Sequence, residues 1–286
     1  MFRNGLLTGK RVLITGGGTG LGKAIGHGLA ALGADLVICG RRAEVLRAAA
    51  ADIASASGRQ VEAVPCDIRD AAEVETMMDE IWATGPLDVL INNAAANFLA
   101  RTETLSPRAF DAIMRVSVNG AAYCTISVGR RWIGAGRGGV ILNVLASGVE
   151  SGRAFMVPLT MAKSAMLAMT RSLAVEWGRK GIRCVAVAPG AFPTEASAER
   201  LQPLGRPADR SRAIPLGRLG ELPELSGLCA FLVSDLAAYI TGEMISVDGG
   251  GSLMRTEVND LLDWTPEQWE ALKPKPVGPA AAKPRP

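Results

Sequence analysis

The sequence predicts an α/β protein with one doubly wound domain, in which a parallel sheet of seven strands is covered by helices on both faces. Three observations lead there. Seven short apolar runs alternate with longer helical patterns, and the runs are bounded by Gly, Pro or Asp. The runs are continuously apolar, which marks strands buried on both faces and hence a parallel sheet with right-handed crossovers. The first run also ends in a glycine-rich turn that opens directly into a helix.

Taken in order, the strand runs are RVLIT (11–15), ADLVICG (34–40), VEAVPC (61–66), LDVLIN (87–92), GGVILNV (138–144), IRCVAVAP (182–189) and EMISVDGG (243–250). Helical patterns fill the intervals, and no internal repeat is present. Residues 191–220, rich in Pro, Gly, Arg and Ala, predict a mobile flap over the site. The segment KPKPVGPAAAKPRP (273–286) lacks apolar periodicity and predicts a disordered tail, so the domain is expected to span 1–272.

Composition narrows the function. The chain has 31 Lys and Arg against 28 Asp and Glu and no basic block, which argues against nucleic acid or a membrane surface as partner. Its five cysteines are scattered among apolar residues without a C-x-x-C pair, fitting reduced core thiols rather than a metal site. The start, MFRNGLLTGK, has no long apolar segment, and no uninterrupted apolar run reaches membrane length; a soluble, cytoplasmic protein is expected.

The turn TGGGTGLG places Thr15, Gly16, Gly18, Thr19, Gly20, Leu21 and Gly22 between the first strand and the first helix. Glycine lets backbone approach a pyrophosphate, and amides at the helix N-terminus attract its charge, so a Rossmann-type dinucleotide site is expected. Arg41 and Arg42 follow the second strand, where an NAD-specific site places an acidic residue for the ribose hydroxyls. A guanidinium pairs with phosphate, so the expected cofactor is NADP(H). Asp67, with Ile68 beside it, follows the third strand, where a carboxylate can accept from the adenine amino group. Asn93, Ala94 and Ala95 follow the fourth, at the crevice. The lone His27 has no visible partner and is expected to be structural.

These motifs, together with Asn119 in VSVNG, Lys163, and PGAFPT followed by VDGG, resemble the short-chain dehydrogenase/reductase family over about residues 8–250. Within it, NNAAANF, LSPRAFDAIM, MTRSLAVEWG, GRLG and EVNDLLDWTPEQWEAL look most like 2,4-dienoyl-CoA reductases. The resemblance implies a Ser, Tyr, Lys and Asn set. Lys163 and Asn119 match it, whereas Ala146 and Leu159 stand at the serine and tyrosine positions. The mitochondrial type carries its tyrosine where this chain has Gly148, and the Tyr-free run to the lysine looks more like the peroxisomal type. Asn97 matches the second asparagine of the dienoyl-CoA reductases. Also implied are Pro189, Gly190, Ala191, Phe192 and Thr194 at the cofactor, and Arg69, Phe98, Ser106 and Arg200 near the thioester or phosphates of an acyl-CoA-like substrate. A homotetramer packed through ISVGRRWIGAG and MLAMTRSLAVEW is implied as well.

Residues four apart on a helix share a face, so a tyrosine at 159 would stand against Lys163; Leu159 donates no proton there. Ketone reduction creates a localised alkoxide that needs an acid in contact. Hydride addition to a conjugated thioester instead spreads charge into an enolate, whose oxygen needs only hydrogen-bond donors. Lys163, Asn97, Asn119 and Ser147 are the candidate catalytic residues, and Lys163 also suits the nicotinamide ribose hydroxyls. The expected reaction is NADPH-dependent reduction of an unsaturated acyl-CoA. Two alternatives stay open: a divergent reductase for another bulky substrate, and a non-catalytic NADP(H)-binding protein that kept the fold.

Overall fold

The computed structural model describes residues 5–194, 211–254 and 257–271. All seven runs form strands of one parallel sheet: β1 (Arg11–Thr15), β2 (Asp35–Gly40), β3 (Val61–Pro65), β4 (Val89–Asn92), β5 (Gly139–Val144), β6 (Ile182–Pro189) and β7 (Met244–Val247). Their order is β3-β2-β1-β4-β5-β6-β7, and every neighbouring pair is parallel. The order reverses between β1 and β4, which opens a crevice at the carboxyl ends of those strands.

Successive residues of a strand point to opposite faces, so a doubly covered sheet needs apolar side chains at every position. In β1, Val12 and Ile14 join one core while Leu13 joins the other. The first core is closed by α1 (Gly20–Ala31), α2 (Ala43–Ser57) and α7 (Leu222–Val233), and the second by α3 (Ala71–Thr84), α5 (Ala121–Gly134) and the end of α6 (Val157–Trp177). α4 (Pro107–Met114) runs through a π-helical turn, Arg115–Gly120, into α5. Trp132 of α5 is fully buried, donates from Nε1 to the Leu87 carbonyl at 2.6 Å, and lies where a Cβ on Gly139 would be.

Helix starts follow local chemistry. Asp70 accepts from the amides of Ala72 and Glu73 to begin α3, and Ser106 accepts from Ala109 ahead of Pro107 to begin α4. By packing, the chain divides after Ser252. The described residues beyond it form a 3-10 turn (Glu257–Asp263) and α8 (Pro266–Ala271), with the Trp264 and Trp269 rings 5.3 Å apart. Among the described residues no helix is long and apolar enough to cross a membrane. Residues 195–210 of the expected flap and the whole 273–286 tail lie outside the described residues.

Candidate active site

The crevice is built from the carboxyl ends of β1, β4, β5 and β6. The Thr15 hydroxyl, buried at the end of β1, accepts from the amides of Asn93 (3.0 Å) and Ala94 (3.1 Å). Asn93 returns two bonds through Nδ2, to the carbonyls of Thr15 (2.9 Å) and Gly16 (3.2 Å). The glycine turn is thereby stitched to the loop after β4.

Gly16 holds φ +67°, a left-handed backbone that favours glycine. A Cβ on Gly22 would fall 2.5 Å from Asn93 Nδ2. At Gly20 the same added atom meets only Thr194 Oγ1, at 4.0 Å, so bare backbone faces open space. Thr19 makes no side-chain cap bond to α1, which leaves the first-turn amides available to an anion. This cradle fits a pyrophosphate and therefore a dinucleotide.

Arg41 and Arg42 are both exposed just past β2, and neither forms an ion pair among the described residues. Asp67 is engaged by Arg69, whose Nε lies 2.9 Å from both carboxylate oxygens and whose Nη2 also bonds Oδ2. That pairing holds the Asp67 carboxyl below its ordinary range, and the Arg41 charge adds to the effect. Arg69, implied at the acyl-CoA, thus stands on the Asp67 carboxylate. Ile68 is buried where a Cβ on Gly120 would be, which brings the π-helical turn close to β3's end.

At the centre lies Lys163 of α6, only 3% exposed. Its Nζ donates to the Val144 carbonyl at the end of β5 (2.6 Å) and lies 3.7 Å from Met166 Sδ. No carboxylate or phenol bonds it, and burial lowers its pKa from the ordinary 10.5 to about 8. Leu159, one turn earlier, is buried as well. Ser147 follows β5 and donates its amide to the Pro189 carbonyl (2.9 Å). Asn119 is exposed near the end of the π-helical turn. Asn97 keeps a buried Oδ1 without a hydrogen-bond partner, an acceptor turned toward no protein donor.

The remaining residues fall into place around this centre. Ala95 is exposed and Phe98 half-buried in the loop after β4, whereas Ser106 spends its hydroxyl on capping α4. Gly190 packs its bare Cα against Asp248, and Phe192 is buried against Gly220. Ala191 and Phe192 border a cavity of about 210 Å³ shared with Ile214, Asp248 and Gly249, which Lys163 does not line. Arg200 lies outside the described residues.

Other candidate chemistry is absent. His27 bonds Asp52 at 3.1 Å between α1 and α2, away from the crevice. All five cysteines are buried free thiols, and burial pushes Cys184 and Cys229 up to about 12, too high for a nucleophile. Among the described residues no group of three His, Cys, Asp or Glu gathers to hold a metal. Tyr123 packs against the second core, and Tyr239 is fully exposed before β7.

The sequence reading missed a buried polar chain beneath the site. Asn92 Nδ2 donates to Thr125 and to Asn143 Oδ1, each at 2.9 Å, and Asn143 Nδ2 donates to Thr170 at 2.8 Å. Thr170 in turn bonds the Met166 carbonyl (2.8 Å), so the chain ties β4 and β5 to the helix carrying Lys163. Asparagine inside the apolar runs LDVLIN and GGVILNV was the available signal. Asn143→Leu removes two buried hydrogen bonds, from Asn92 and to Thr170, and is expected to cost about 1–3 kcal/mol in urea denaturation. An unchanged midpoint would show the network to be dispensable.

The geometry agrees with what the chain is similar to. A family model described as enoyl-(acyl carrier protein) reductase matches residues 16–252. A Bacillus subtilis protein named a probable 2,4-dienoyl-CoA reductase is 41% identical over 84% of this chain and 96% of its own. The peroxisomal 2,4-dienoyl-CoA reductase of Danio rerio is 37% identical, over 90% of this chain and 85% of its own. Among solved structures, a Burkholderia cenocepacia gluconate 5-dehydrogenase in complex with NADP and tartrate superposes with a TM-score of 0.81 at 31% identity, covering 87% of this chain and 98% of that one. With the glycine cradle and the seven-stranded parallel sheet, the chain belongs to the short-chain dehydrogenase/reductase family of oxidoreductases.

Proposed function

We propose that this protein is an NADPH-dependent reductase of conjugated enoyl or dienoyl thioesters of CoA. One observation carries the choice of reaction: Lys163 is buried against a backbone carbonyl with Leu159 one turn away, and no acid touches it. A localised alkoxide would find no phenol in that pocket and a Lys163 ammonium already donating to the Val144 carbonyl, whereas a delocalised enolate needs only donors. The relatives named 2,4-dienoyl-CoA reductases support the same substrate class.

Reduced NADP supplies a hydride when bound. Around it, the α1 amides and bare Gly20 hold the pyrophosphate, and Arg41 and Arg42 take the 2′-phosphate. With the nucleotide bound, the Lys163 ammonium would hold the ribose hydroxyls and place positive charge beside the site. Asn119, Asn97 and Ser147 offer donors to the thioester oxygen as negative charge develops there. A conjugated carbon accepts the hydride, the electron pair moves to the oxygen, and water delivers the balancing proton to carbon. The net change is two electrons and two hydrogens added across the conjugated system.

Isotope transfer tests this reaction. With NADPH deuterated at the nicotinamide C4, the label is expected on a chain carbon of a dienoyl-CoA product, with the thioester carbonyl retained. Label on a carbinol carbon would contradict the proposal. Cofactor choice is tested separately: replacing Arg41 and Arg42 by alanine is expected to weaken NADPH binding at least tenfold and leave NADH binding within about twofold. Equal losses for both would remove the 2′-phosphate role.

The same proposal includes a cytoplasmic, symmetric homotetramer. Ile126 of α5 and Met161 and Val175 of α6 are about half or more exposed, on the helices expected to pair. Val175→Glu is expected to shift the particle mass downward in light scattering; an unchanged mass would place the interface elsewhere.

A further inference from the structure

We propose that Phe155 is a specificity-determining residue that grips the acyl chain of the substrate, an inference that rests on the acyl-CoA reading above. Phe155 is the one described residue other than glycine with positive φ, at +64°. A bulky side chain is disfavoured there because its Cβ crowds the neighbouring carbonyl. The ring is also 58% exposed, so it repays that strain with little packing. Backbone strain of this kind concentrates at ligand clamps, where the surroundings hold the residue in place.

The surroundings do so here. Phe155 lies in the loop between β5, whose last carbonyl holds Lys163, and α6, which carries Lys163. Its own carbonyl accepts from the Ala100 amide at 3.0 Å, which fastens this loop to the one bearing Asn97 and Phe98. Val149 and Met156 on either side are buried, so the loop is anchored while the ring is not. The loop uses glycine at two other left-handed positions, Gly148 (φ +89°) and Gly152 (φ +78°). At 155 glycine would relieve the strain, yet an aromatic ring stands there, on a loop bonded to the one that carries half-buried Phe98. An exposed ring on a fixed backbone offers apolar surface to a hydrocarbon chain.

Two variants and two substrates test this. Asparagine tolerates the left-handed backbone and removes the apolar surface, whereas leucine keeps apolar surface. Steady-state rates of NADPH oxidation are measured with six-carbon and ten-carbon 2,4-dienoyl-CoA. Phe155→Asn is expected to raise KM for the ten-carbon substrate about tenfold, with KM for the six-carbon substrate and both kcat values within about twofold. Phe155→Leu is expected to stay near the parent protein for both. Equal KM increases at both lengths would place the ring on the CoA moiety and overturn the proposal, as would no change at either. A melting temperature of Phe155→Asn well below that of the parent would make the ring a packing element and overturn it too. If the parent protein turns over neither substrate, the acyl-CoA reading itself fails, and this inference with it.

Discussion

Lys163→Met is expected to reduce turnover by two to three orders of magnitude while making the folded protein more stable. Both effects come from one buried ammonium. Its pKa of about 8, against an ordinary 10.5, measures what the fold gives up to keep the group protonated, on the order of 3 kcal/mol. The depressed group binds fewer protons folded than unfolded between these two values, so stability rises with pH across that window and the cost is fully present below about 8. Methionine removes the cost, and the lost bond to the Val144 carbonyl takes back about 1 kcal/mol. The net gain at pH 7 is about 2 kcal/mol, or about 4–8 °C in melting temperature for a domain of this size. Calorimetry at pH 7 and pH 10 checks it: the variant should melt higher at pH 7, with the difference narrowing by pH 10. In the parent, kcat/KM should fall as pH rises through about 8, where the ammonium is lost. A variant less stable at pH 7 would show that Lys163 is held by stronger interactions than one carbonyl.

Gly22→Ala is expected to abolish NADPH binding within the measurable range, a loss of at least about 100-fold by fluorescence titration. The added methyl would stand 2.5 Å from Asn93 Nδ2 and against the Gly16 backbone. Asn93 cannot give way without breaking its bonds to the Thr15 and Gly16 carbonyls. Overpacking of this kind costs about 1–3 kcal/mol, so urea denaturation should register it. Gly20→Ala makes the contrast: its methyl would meet only Thr194 Oγ1, at an ordinary 4.0 Å, so stability should change by only about 1 kcal/mol, from the left-handed φ, while nucleotide binding still weakens. Equal affinity in both variants and the parent would put the pyrophosphate elsewhere.

The sheet was legible because strands covered on both faces run almost continuously apolar, as β1, β2 and β4 at its centre do. Strand ends shifted by one to three residues, as Ala34, Cys66 and the Asp248–Gly250 end of the last run did, since the ladder bonds that set them depend on the neighbouring strand. The glycine turn was legible for a related reason: Gly16 and Gly22 are demanded by close approaches made within the first 94 residues. Less could be seen where a side chain chooses among partners in space. Arg69 sits on Asp67, and Ser106 caps α4, because those groups were within reach of each flexible side chain. The Asn92, Asn143 and Thr170 chain joins residues far apart in sequence, so only a polar residue within an apolar strand hinted at it. The π-helical turn that carries Asn119 and the left-handed Phe155 left no mark in residue type at all, being imposed by packing and by the loop's anchors.

The matched pair of substrates asks most directly whether this pocket stabilises a spread charge and starves a concentrated one. With NADPH at saturation, kcat/KM is measured for a 2,4-dienoyl-CoA and for the 3-ketoacyl-CoA of the same chain length. A pocket with Lys163 and no acid beside it should favour the dienoyl thioester by at least about 100-fold. Preference for the ketone, or equal rates, would mean that a proton donor reaches the reacting oxygen after all.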